Sequence, residues 1–79
     1  MKINWYANAN GVVGVSWIGP FHFVVNQWHS GDEYRVEVGG NFLASFPPLH
    51  DRAAIEQFMI QYTYRKLVGW VKELETVAA

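Results

Sequence analysis

DRAAIEQFMIQYTYRKLVGWVKELE, residues Asp51 to Glu75, reads as one long helix. Ile55, Phe58, Met59 and Tyr62 recur at i, i+3, i+4 and i+7, the spacing that puts side chains on one helix face. Beyond Tyr62 the pattern turns. At about 100° per residue, Ile60, Tyr64, Leu67, Val71 and Leu74 form a second stripe roughly 120–140° from the first, with Trp70 between the two. The helix is therefore too apolar for a single buried face.

Its length raises the same issue. At about 1.5 Å per residue such a helix reaches roughly 37 Å, whereas a six-residue strand spans only about 20 Å. Either the helix outruns whatever sheet it covers, or it breaks near Thr63 or Gly69 and folds back. An unbroken helix leaves Leu67, Trp70, Val71 and Leu74 without an intrachain partner and turns them toward another chain. Upstream, Pro47-Pro48 ends any preceding strand, because proline cannot continue a ladder and restricts the residue before it. Pro48 also suits a helix entrance, and Asp51 favours the positive end of the helix dipole. The predicted organisation is a single domain over 1–79, with a β-meander over 1–46 and the helix over 48–76.

Turn signals cut the first 50 residues at short intervals. Asn10-Gly11 suits a tight type I′ hairpin, Gly19-Pro20 breaks the next run, and Ser30-Gly31-Asp32 and Gly39-Gly40 supply two further loops. Between them lie Lys2–Asn8, Val12–Ile18, Phe21–Trp28, Glu33–Val38 and Asn41–Ser45, each of strand length and rich in β-branched or aromatic residues. The simplest connection is an antiparallel meander of four or five strands. Tyr34, Val36 and Val38 alternate with Glu33, Arg35 and Glu37, and Phe21, Phe23 and Val25 with His22, Val24, Asn26 and Trp28. Val13, Val15 and Trp17 likewise oppose Val12, Gly14, Ser16 and Ile18. One sheet face is thus hydrophobic and the other mixed. The first helical stripe should cover the hydrophobic face, giving a two-layer α+β domain with Phe23, Val36 and Phe58 buried.

At 79 residues with no cysteine, the chain has neither a disulfide framework nor a thiolate zinc site. Its small core must rest on four Trp, four Tyr and five Phe, or on packing against a second chain. Six Lys and Arg against seven Asp and Glu leave a formal charge of -1, without the basic excess that phosphate backbones attract. No signal peptide or stretch long enough for a bilayer is evident, so a soluble cytoplasmic protein is expected, with no membrane partner.

Chemistry-bearing patterns are missing. His22, His29 and His50 lack the paired spacing of a helical metal site; isolated histidines beside turns are ordinarily solvated. Ser16, Ser30 and Ser45 have no nucleophile-elbow surroundings. Gly11, Gly14 and Gly19 lie in β-type sequence with no helix following to cradle a phosphate. No catalytic residue, cofactor or metal is therefore expected. Tyr6, His22, Trp28 and Arg35 could share an open sheet face on which single-stranded bases stack, but Glu33 and Glu37 oppose phosphate there, and Arg52, Arg65, Lys66 and Lys72 are spread along the helix. Trp28 is expected instead to cap a strand pair under a loop.

Protein–protein contact remains, since Trp, Tyr and Arg often dominate interface energy. The short meander, the Phe46-Pro47-Pro48-Leu49 exit and the C-terminal helix resemble the layout of small phage-encoded accessory proteins, anti-CRISPR proteins among them. That resemblance implies a non-enzymatic inhibitor that occupies a surface of a host machine. The leading expectation is a protein-binding module, as a monomer or a homodimer, acting through Leu67, Trp70, Val71 and Leu74. The alternative is a nucleic-acid-binding regulator using Tyr6, His22, Trp28 and Arg35.

Overall fold

The computed structural model describes residues 3–28 and 31–78. Strands β1 (Asn4–Asn8), β2 (Gly11–Ile18), β3 (Phe21–Trp28), β4 (Tyr34–Val38) and β5 (Asn41–Phe46) form one antiparallel sheet in chain order. Helix α1 (Arg52–Ala78) follows and packs on one face, so the α+β meander with a C-terminal helix is the observed architecture. Lys2, His29 and Ser30 lie outside the described residues.

Two-residue turns set the register. Gly39 and Gly40 have φ of 56° and 83°, the pair of positive values that a type I′ turn requires, and so place Val38 opposite Asn41. The first hairpin is shifted by one residue from the expected Asn10-Gly11. Asn8 faces Gly11, and the loop is Ala9-Asn10. The Asn8 side chain decides this, because its Oδ1 accepts hydrogen bonds from the Asn10 and Gly11 amides at 2.9 and 3.0 Å. In β5 a bulge opposite Val36/Glu37 shifts the register, with Ala44 facing Val36 and Phe42 facing Glu37. Leu43 is the extra residue, and it packs against the core.

The covered face carries Ile3, Trp5, Ile18, Phe21, Phe23, Val25, Tyr34, Val36, Val38, Leu43 and Phe46, against Ile55, Phe58, Met59 and Tyr62 of α1. Phe23 and Val36 are fully buried, as the alternation predicted. Phe58 is corrected to half-buried. It lies edge-on to Phe46 at 5.2 Å, over the outermost strand, where the sheet ends and water begins. Ile55 and Met59 are instead the helical side chains with no exposure.

Gly14 sits where β1 closes over the core. A Cβ there would lie 2.6 Å from Ile3 Cγ2 and 2.9 Å from Trp5 Cε3, so only glycine leaves room for both side chains. Trp5 then reaches the Tyr34 ring, edge-on at 5.8 Å. Arg52 closes this corner, its guanidinium 4.4 Å from the Trp5 ring and its Nε donating to Tyr34 Oη at 3.2 Å. Sheet and helix start are thus pinned together.

The helix begins at Arg52, one residue past the Asp51 from which its pattern reads and later than the segment boundary at 48. Pro48 lies in a turn closed by the His50 amide on the Pro47 carbonyl at 3.0 Å, and Asp51 is the N-cap, its Oδ1 accepting from the Ala53 amide at 3.0 Å. From Arg52 it runs unbroken to Ala78, so neither Thr63 nor Gly69 interrupts it. Thr63 is helical and buried, and its hydroxyl is satisfied by donating to the Met59 carbonyl at 3.0 Å.

Candidate functional site

Two surfaces stand out, and each follows from how far or on which side α1 covers the sheet. The first is the far half of the helix. α1 crosses the sheet from the Tyr34–Phe46 end toward the Gly19-Pro20 turn, where Thr63 and Leu67 approach Gly19 and Trp70 meets Phe21 with ring centroids 5.6 Å apart. There the sheet stops and the helix continues, giving the molecule extents of 52 × 21 × 19 Å.

Of the four residues expected to lack intrachain partners, two are corrected. Trp70 rests on Phe21 along one side, and Leu67 lies close to the β2–β3 turn. Val71 and Leu74 are 53% and 68% exposed. Tyr64, already in the second stripe, belongs with them, and so does Val77, which the sequence reading passed over and which is 80% exposed. Trp70, Glu73, Leu74 and Val77 line an open groove, while Tyr64, Leu67, Val68 and Val71 line another on the neighbouring flank. At about 100° per residue, Trp70 and Val77 prolong the line of Ile55 and Met59 past the end of the sheet.

The second surface is the uncovered sheet face. Register puts Tyr6, Val13, Asn26, Arg35 and Ser45 in one cross-strand row, and Asn4, Val15, Val24, Glu37 and Phe42 in the next. Trp17 and His22 form a third row toward the Gly19-Pro20 turn, with ring centroids 4.8 Å apart. Gly11 and Trp28 pair at the opposite end. The four residues proposed from sequence, Tyr6, His22, Trp28 and Arg35, do share this face. Trp28 ends the β2–β3 pair as expected, yet it remains about half exposed.

Val13 and Val15 at the centre and two aromatics at the rim, Trp17 and Phe42, escaped the sequence reading of this site. Trp17 is 65% exposed. Its position was recoverable, because the two-residue turn at Gly19-Pro20 sets which β2 residues accompany His22. Phe42 was hidden by the bulge, which reverses the parity of β5.

Polar groups on this face are already engaged with one another. Arg35 lies 3.6 Å from the Glu33 carboxylate and stacks 4.7 Å from the Phe42 centroid. Asn26 Nδ2 donates to Glu37 at 3.3 Å. His50, expected in solvent, is instead half-buried and stacks on Phe46 at 4.9 Å, remote from both surfaces. Among the described residues no group of three His, Asp or Glu side chains is placed to hold a metal ion, and no helix is long and apolar enough to cross a membrane. What both surfaces offer is apolar and aromatic contact. Comparison with protein-family models, curated proteins and solved structures finds no match to the chain.

Proposed function

We propose that the chain is a non-enzymatic protein-binding module whose docking element is the far half of α1. The supporting observation is the unbroken helix that carries Val71, Leu74 and Val77 past the end of its own sheet. A helix held rigidly at one end and apolar at the other loses little conformational entropy when it docks, so its burial energy goes largely into binding. Anchoring by Arg52, Ile55 and Met59 supplies that rigidity. The mode of action is steric: the helix occupies a surface of its partner, as an inhibitor or accessory protein of the phage-encoded kind would.

The competing reading places single-stranded nucleic acid on the uncovered sheet face. Tyr6, Trp17 and Trp28 favour it, since each offers a ring for base stacking. Against it, the Arg35 guanidinium is paired with Glu33, Glu37 sits mid-face, and Arg52 lies on the covered side. Phosphate would meet more negative than positive charge. Changing Trp70 and Leu74 together to serine tests the choice. Partner capture should be lost while the sheet stays folded, and binding by the native chain should change little with salt. Steep weakening with ionic strength and indifference to the double substitution would instead establish the nucleic-acid reading.

A further inference from the structure

We infer that a second copy of this chain occupies both surfaces at once, each far helix half seated on the other copy's uncovered sheet face. The inference rests on reading that helix half as the docking element, and it names the partner.

The geometry carries it. α1 lies one helix diameter, about 10 Å, above the covered face, and leaves the sheet over the Gly19-Pro20 turn. A two-fold axis beside that turn sets a second sheet end to end with the first, inverted. The inverted copy turns its uncovered face toward the overhang, at the same height at which the near half of α1 packs on its own sheet. The operation is closed: the second overhang then runs beneath the uncovered face of the first copy. One self-complementary contact accounts for two otherwise unrelated apolar surfaces.

Side chains and areas agree with the placement. Trp70 and Val77 project from the side of α1 that follows Ile55 and Met59, the side an adjoining coplanar sheet would meet, with Glu73 between them and Leu74 on the adjoining flank. From Trp70 to Val77 is about 10 Å along the axis, enough to reach the Trp17–His22 row and enter the Val15–Val24–Glu37–Phe42 row behind it, since alternate residues of a strand are roughly 7 Å apart. Aromatic side chains offer about 150–250 Å² each. With the exposed parts of Trp17, Phe42, Trp70, Leu74 and Val77, each copy contributes apolar area on the scale of the roughly 800 Å² per partner of a standard interface.

Light scattering on the native chain and two variants tests this. L74S/V77S alters only the overhang, and W17S/V24T only the uncovered face. The native chain should have twice the mass of the 9.1 kDa protomer, and each variant alone should be monomeric. Mixing the variants should restore a weaker dimer, because one of the two contacts is then intact in the pair; the same result shows that both variants are folded. A native monomer well above micromolar concentration overturns the inference, as does a mixture that stays monomeric. If W17S/V24T remains dimeric while L74S/V77S does not, helix pairs with helix: the inference fails and the docking role of α1 survives. If both variants remain dimeric, the inference fails and loss of partner capture by L74S/V77S alone decides whether the docking role stands.

Discussion

The two halves of α1 are similar in composition and opposite in fate. From Arg52 to Thr63 the helix lies on the sheet, with Ile55 and Met59 fully buried and a capped, anchored start. From Tyr64 to Ala78 it offers as many large apolar side chains, yet nearly all are exposed. The difference is not one of helix propensity, since both halves are equally helical. It comes from where the strands end. A stripe of apolar residues contributes to folding only over the length of the surface opposite it; beyond that length the same stripe is available for binding.

The comparison would break first at the seated half. Met59→Ala or Ile55→Ala should destabilise the chain by about 2–5 kcal/mol, as expected for emptying a fully buried aliphatic position. Chemical denaturation measures this, and a loss below about 1 kcal/mol would mean the near half is not the core. Gly14→Ala comes next. Its methyl would press on Ile3 and Trp5 and should cost about 1–3 kcal/mol through overpacking, seen as early amide exchange in β1. Asp51→Ala removes the cap of the seated end and should cost roughly 1 kcal/mol, with fraying confined to the first turn by hydrogen exchange. The smallest effect belongs to the far half. Leu74→Ser should change the stability of the dissociated chain by less than about 0.5 kcal/mol, and its consequence should appear in association instead. A loss as large as that of Met59→Ala in the monomer would show that the far half is also core.

Much of the seated half was legible in the sequence. Ile55, Phe58, Met59 and Tyr62 announce their face by spacing alone, and Tyr34, Val36 and Val38 announce theirs by alternation. Phe58 proved half-buried because its stripe position says which way it points but not that the strand beneath it is the last. The uncovered face was harder to read. Tyr6, His22, Trp28 and Arg35 were placed on it correctly, but Trp17, Val13 and Val15 needed the register of β2 against β3, and Phe42 needed the bulge. Neither leaves a periodic signal within its own segment. The shift of the first turn to Ala9-Asn10 has a similar origin, for a side-chain cap from Asn8 competed with the backbone preference of Asn10-Gly11.

The sequence by itself determined the order of elements, the antiparallel meander, the helix that follows it and the inward residues of β3, β4 and the near half of α1, because periodicity and turn chemistry act over a few neighbouring residues. Tertiary structure alone decided where the helix starts on the sheet, where it leaves it, and that it continues without a break. The placement of helix on sheet depends on Trp5, Gly14, Tyr34 and Arg52 meeting at one corner, from four segments distant in the chain. Contacts of that kind set the offset between helix and sheet, and the offset determines which part of one apolar helix becomes core and which becomes a docking surface.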